Sequence, residues 1–423
     1  QARGCVERSE DEVVWGMKES ARLGDHVLKV GSGQTPSGGQ ANYLQTGIPL
    51  IRSQNVLMGS FSGQGLAYIS EEQDMAMPGS RVLPGDVLLN ITGASIGRVC
   101  MAPETILPAN VNQHVCIIRC KGTLLPEYLA YVLASSSLQR FIWDSQAGAT
   151  RQALTKQMIE EFEIPWVDID QQRKIVSRLK LDLAAVEDAR QATQHQVAEA
   201  HALIDAVYRR AFENIVPVAV PPEFEEAPAD WRWMKLGDLA RLESGHTPSR
   251  SRPDWWGGDV SWISLTEIRA LDGQWVESTQ IKTNAAGIAN SSARMLPRGT
   301  VCFSRTASVG FVTIMANPMA TSQDFANWVC GDELDPEYLM HALIRSRVEL
   351  RALATGATHK TIYMPLLEAF HLCLPDRPTQ QRIVRDLKEQ LATAQQIRTA
   401  VHSRLKELEQ LPARLLAQVF DAL

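Results

Sequence analysis

The 423-residue sequence contains no apolar run of the roughly 18 residues that would mark a membrane-spanning helix. Its first residues, QARGCVERSEDEVVW, lack the basic start and apolar stretch of a signal peptide. The seven cysteines, at positions 5, 100, 116, 120, 302, 330 and 373, form no CxxC pair. An odd, unpatterned set of this kind is expected as reduced thiols in a cytoplasmic protein. Cys116 and Cys120 have no second pair at zinc spacing, so no metal is expected. The glycosylation-type triplets Asn90-Ile91-Thr92 and Asn290-Ser291-Ser292 come without any sign of secretion.

Catalytic signatures are also missing. There is no GxxxxGK[ST] phosphate loop, and GSGQTP (31–36) lacks the third glycine of a dinucleotide site. Asn317-Pro318-Met319 is a poor match to the Asn-Pro-Pro-Tyr type of amino-methyltransferase motif. No catalytic residue is expected. Lys and Arg number 42 against 48 Asp and Glu, a net charge of −6. That argues against a protein that coats DNA indiscriminately, but it leaves room for a local basic face.

What the chain does have is a second copy of itself. GATRQALT (148–155) is answered by GATHKTIY (356–363). Leu23-Gly24-Asp25 and GQTPS (33–37) return as Leu236-Gly237-Asp238 and GHTPS (245–249). IPLIRSQNV (48–56) pairs with VSWISLTEI (260–268), and LPGDVLLNITGASIGRV (83–99) with LPRGTVCFSRTASVGFV (296–312). Asn112-Gln113-His114 matches Ser322-Gln323-Asp324, and LPEYLAYVL (125–133) matches DPEYLMHAL (335–343). Pro165 with QQRKIV (171–176), and Pro375 with QQRIV (380–384), close the series. Landmarks in one order at a slowly drifting offset mark a tandem duplication.

Each half reads as a mixed α/β domain followed by one long helix. VLLNIT and VCFSRT are short strands between glycine-bearing turns, and the PEYL segments have helical apolar spacing with Pro in the first turn. The stretch from Asp170 to Phe212 has no Gly or Pro, and its apolar residues fall on one stripe; a similar stripe runs from Pro378, with a kink expected near Pro412. Some forty residues at 1.5 Å each give a helix of about 60 Å, which needs a partner stripe to be stable in water. The Pro-rich, acidic VPVAVPPEFEEAPAD (216–230) reads as a linker that lets the chain turn back. The expected domains are 1–165, helix 166–215, linker 216–230, 231–376 and helix 377–423.

This layout resembles the specificity (S) subunit of type I restriction–modification systems over nearly the whole chain. The resemblance is carried by the duplicated domain–helix order, LPGDVLL/LPRGTVCF leading to ASIG/ASVG, the GAT phrases, the QQR helix openings and the stretch WRWMKLGDLARLESGHTPS…WWGGDVSWISLTEI (231–268). It implies an α+β fold of two target-recognition domains joined by an antiparallel coiled coil. It also implies the reading of a bipartite double-stranded DNA target, with the unread gap set by helix length. Partners implied are methyltransferase (M) subunits using S-adenosylmethionine and a motor nuclease (R) subunit using ATP and Mg2+. No cofactor is expected in this chain and no membrane. The alternative is a non-catalytic coiled-coil adaptor that binds protein through both domains.

Several side chains are candidates for DNA contact. Arg151-Gln152 and His359-Lys360 follow the GAT turns, where a helix start would offer N–H groups to a phosphate, Arg could pair with guanine and Gln with adenine. A simple cap and helix start is the plain structural reading of the same residues. Arg52, Gln54 and Asn55 place three base-reading types within four residues, although polar loop residues are commonly just solvated. Thr92, Arg305 and Thr306 lie in equivalent loops whose small neighbours permit close approach or tight packing. Arg98, Arg250, Arg252 and Arg269 are candidate phosphate anchors, as is Arg294. Trp255-Trp256 reads foremost as domain packing, while Gln113 and Gln323 read equally as members of a buried polar network or as contacts.

Overall fold

The computed structural model describes residues 19–36, 39, 43–145, 153–221, 224–356 and 359–421. The chain divides into two compact units, Gln1–Gln194 with Ser403–Leu423, and His195–His402. Each boundary cuts through a long helix. A unit therefore holds one mixed domain, the first part of the helix that leaves it, and the last part of the other helix.

In the first unit, the central sheet runs in the order Val27–Ser32, Val115–Cys120, Val87–Asn90, Val99–Met101, all antiparallel. A second sheet is ordered Ala67–Ile69, Ile48–Ile51, Ala109–Val111, Arg81–Val82. VLLN is buried at every position because one of its faces packs on the helices and the other on the second sheet. Glu19–Arg22 pairs with Glu163–Trp166 beside the entry to the long helix.

The second unit repeats this plan. Ala240–Ser244, Phe325–Cys330, Val301–Ser304 and Val312–Met315 take the same order, with Trp275–Val276 added in parallel at the edge. Trp256–Ile263 pairs in parallel with Ala320–Thr321, as Ile48–Ile51 does with Ala109–Val111. The 216–230 segment contributes an edge strand here: Val218–Ala219 pairs with His371–Leu374, which also pairs with Arg232–Lys235. Phe224 stacks on Trp233 at 4.8 Å.

The long helices are Ile169–Ala211 and Arg377–Phe420, and they pack together. Gln172, Val176, Leu179, Leu183, Val186, Arg190, Thr193, Val197, Ala200, Ile204 and Val207 are all buried or half-buried, spaced alternately by four and three residues. The same register runs from Gln380 through Val384, Leu387, Leu391 and Ala394 to Leu408, Leu415 and Val419. This is the seam of a coiled coil. Pro412 lies on it, inside a helix that continues to Phe420.

The repeat is also written in hydrogen bonds. Tyr128 Oη donates to Pro165 O at 2.9 Å, and Tyr338 Oη to Cys373 O at 2.8 Å. Lys180 bonds Glu127 at 3.0 Å, and Lys388 bonds Glu337 at 2.7 Å. Gln172 accepts from Leu125 N at 2.8 Å and Gln380 from Asp335 N at 2.9 Å. These pairs correct the sequence alignment: Pro165 corresponds to Cys373 rather than Pro375, and Gln172, not Gln171, to Gln380.

Candidate nucleic-acid interface

The duplicated phrases, distant in sequence, meet at one end of each central sheet, away from the PEYL helix and the start of the long helix. In the first unit, Gly33 N donates to Asn112 O at 3.2 Å, Ile91 N to His114 O at 3.0 Å, and Leu154 N to Ile91 O at 3.0 Å. Thr35 Oγ1 donates to Gln113 Oε1. Thr92 Oγ1 and His114 Nδ1 lie 2.6 Å apart.

In the second unit, His246 N donates to Thr321 O at 2.9 Å, Arg305 N to Asp324 O at 2.8 Å, and Ile362 N to Arg305 O at 2.9 Å. Thr247 Oγ1 donates to Gln323 Oε1, the counterpart of the Thr35 bond. The two repeat glutamines thus hold Thr35 and Thr247 in place. Gly33 and Gly245 permit this approach: a Cβ would fall 1.7 Å from Val111 O at the first and 2.1 Å from Ser322 O at the second. No other residue fits there.

The type I restriction modification DNA specificity domain matches this sequence twice, over residues 18–189 and 228–407. The chain belongs to this family. It is similar to the MjaIX specificity subunit of Methanocaldococcus jannaschii, 27% identical over 168 residues, which are 38% of this chain and 39% of that protein. It is 21% identical over 403 residues to the StySPI specificity subunit of Salmonella potsdam, covering 90% of this chain and 83% of that one. The fold is shared with a chain of the type I R-M system solved in a study of its complex assembly and conformational transition: TM-score 0.73, 18% identity, 95% and 97% of the two chains covered. The HsdS subunit of Thermoanaerobacter tengcongensis gives 0.61 at 18% identity, over 96% of each chain.

The loop ends of the two specificity domains hold most of the candidate contact residues, in different roles. Arg52 is half-buried, its Nη2 donating to Gly65 O at 2.6 Å, and Gln54 Nε2 donates to the same oxygen at 3.1 Å while the side chain stays exposed. Asn55 is fully buried; its amide donates to Ser62 O and Gln64 O, and its oxygen accepts from Arg52 N. The expectation that Asn55 reads a base is therefore corrected: it braces the loop and faces no solvent. Arg305 is similar, with Nη2 on Gln323 O at 2.8 Å and Nη1 on Ile362 O at 3.4 Å. Thr306 bridges to Thr361.

Arg98, Arg250, Arg252, Arg269, His359 and Lys360 are exposed. Arg252 is paired with Asp254 at 2.7 Å and lies over Trp255, and Arg294 is paired with Glu243. Arg250 lies over both Trp256 and Trp262, at 5.2 and 5.6 Å, beside an open hollow that Lys282 also lines. Half-buried Trp255 and Trp256 and fully buried Trp262 thus pack inward and carry guanidiniums on their outer side.

Arg151 and Gln152 lie outside the described residues, as does Thr150. The helices begin at Lys156, capped by Thr155, and at Met364. His359-Lys360 instead form a strip against the 305–307 loop, Ala307 N donating to Lys360 O at 2.9 Å. The reading of a phosphate held at a helix start is withdrawn for these two.

Among the described residues, no group of three His, Cys, Asp or Glu is placed to hold a metal. Burial pushes the thiols of Cys100, Cys116, Cys120, Cys330 and Cys373 up to about 12, so they stay protonated. Among the described residues, no helix is long and apolar enough to cross a membrane.

Proposed function

We propose that this chain is the reader of a type I restriction–modification complex: each specificity domain recognises one half of a bipartite double-stranded DNA target through its loop end. The observation that carries the reading is that the framework of the loop end is repeated while the residues set in it differ. The Thr–Gln bond, the glycine at a close backbone approach and the crossing backbone bonds recur. Exposed Gln34 is replaced by half-buried His246 and exposed Arg98 by half-buried Phe311, and in the sequence repeat His359-Lys360 replace Arg151-Gln152. A frame kept constant with its contact positions varied suits two readers of different sequences.

Exposed cations gather at the loop end of the second domain although the chain is acidic as a whole. A local basic face of this kind attracts the phosphate backbone. Methyltransferase subunits would dock on the paired helices and supply S-adenosylmethionine chemistry; a motor nuclease subunit would use ATP and Mg2+. This chain would position them and catalyse nothing itself, and the length of its helices would set the gap between half-sites. Selection from random duplex DNA with the full chain tests this. A split consensus with a fixed gap is expected; failure to enrich any sequence would refute it and favour a protein adaptor.

A further inference from the structure

Arg98 and Phe311 occupy the same place in the repeat. Asn90 N donates to Arg98 O at 2.8 Å and Gly97 N to Asn90 O at 2.9 Å; Ser304 N donates to Phe311 O at 2.9 Å and Gly310 N to Ser304 O at 2.8 Å. Both residues therefore stand where the loop end returns into the central sheet. In the first domain the position bears an exposed arginine with no side-chain partner among the described residues.

In the second domain the ring of Phe311 is surrounded by guanidiniums. Arg269, Arg347 and Arg351 lie 5.8, 5.4 and 5.3 Å from its centroid. Of the three, only Arg347 has a carboxylate partner among the described residues: Asp272 accepts from it at 2.7 and 2.8 Å. Arg351 Nε donates to Val309 O at 2.8 Å, and Arg269 makes no hydrogen bond or ion pair among the described residues. Arg347 Nε is buried without a partner. Burial, and then the charge of Arg347, lower the proton affinity of Arg351. One cation over a ring is stabilising, but further like charges repel unless an anion joins them. A cage built only for packing would gain nothing from the second and third charge.

We infer that this position is a phosphate clamp in both domains, formed by Arg98 in the first and by the arginine cage on Phe311 in the second. Its ligand is a phosphodiester of the DNA backbone. Guanidinium forks suit phosphate oxygens, and the ring supplies a neutral platform that fixes where they point. The inference rests on the DNA-reading function proposed above. Contacts of this kind set register and affinity without choosing bases.

Arg98→Gln and Arg269→Gln remove exposed side chains that make no hydrogen bond or ion pair among the described residues, so the fold is retained. Binding of the full chain to a mixed-sequence DNA duplex is titrated against salt. Each substitution should weaken binding and flatten the slope of log K against log salt by about 0.9 for each phosphate no longer neutralised, and Arg351→Gln combined with Arg269→Gln should flatten it further. The selected consensus should not change. If the wild-type chain binds and both single variants keep its affinity and slope, the clamp is refuted while the DNA reading stands. Altered base preference would reassign these arginines to base contacts and overturn the clamp. If the wild-type chain binds no DNA at any salt, both inferences fall.

Discussion

The ring of Phe420 meets the ring of Tyr128 edge-on, 5.5 Å between centroids, and Phe212 meets Tyr338 at the same 5.5 Å. Phe420 ends one long helix and Phe212 directly follows the other, and both tyrosines sit on a PEYL helix and bond the last strand of their domain. Each domain is thus sealed by the tail of the helix that began in the other. The duplication is an exchange, and neither half of the chain contains a complete unit.

Truncating either ring should therefore act on the domain it seals, not on the domain that precedes it in sequence. Phe420→Ala should cost roughly 3–5 kcal/mol, as for other buried aromatic side chains. Hydrogen exchange should accelerate in strand Val115–Cys120 and much less in Phe325–Cys330. Phe212→Ala should give the reverse pattern. Equal acceleration of both strands in either variant would argue against the exchange.

Gln172 and Gln380 are fully buried, and each satisfies three backbone groups at the mouth of its helix. Replacing either by Leu should leave those groups unpaired and destabilise by about 1–3 kcal/mol. Gln381→Ala, at the exposed neighbour, should change stability by about 0.5 kcal/mol or less. Denaturant titration of the three variants checks this register of the two helix openings.

Gly245→Ala would drive a methyl group to within 2.1 Å of Ser322 O. The loop must move, and the Thr247–Gln323 bond should break. We expect a lower melting temperature together with altered DNA preference confined to one half-site. A variant as stable as the parent would show that this loop is not held by the close approach of Gly245.

His341 is buried against Tyr208, whose hydroxyl lies 3.2 Å from its Nδ1. Burial lowers its pKa to about 4 from 6.5; Glu337 opposes the shift and Lys388 adds to it. The unfolded chain then takes up a proton on this group at a higher pH than the folded one. Stability from neutral His341 is fully present above pH 6.5 and is lost as the pH falls from there toward 4. Thermal melts at pH 7 and pH 5 should differ less for His341→Gln than for the parent.

The repeat, its strands, both long helices and the family resemblance are legible in the sequence, because these rest on local periodicity and on phrases that recur in order. The placement of Phe212 and Phe420 is not legible there: local pattern does not say which domain a helix tail seals. The GAT phrase reads as a helix start because a turn and a cap look alike, whereas the intervening residues, Thr361 and Ile362, are spent on bridging another loop. Asn55 has the chemistry of a base reader but lacks the exposure. Arg347 and Arg351 read as ordinary helix residues, four apart; only the packing of Phe311 brings them together with Arg269.

The central claim is that the two loop ends read separately. The most direct test is DNA selection with the parent chain beside a variant carrying His359→Ala and Lys360→Ala. We predict a bipartite consensus for both, with one half-site altered in the variant and the other half-site and gap unchanged. A consensus that changes in both halves together, or is not split at all, would contradict the account.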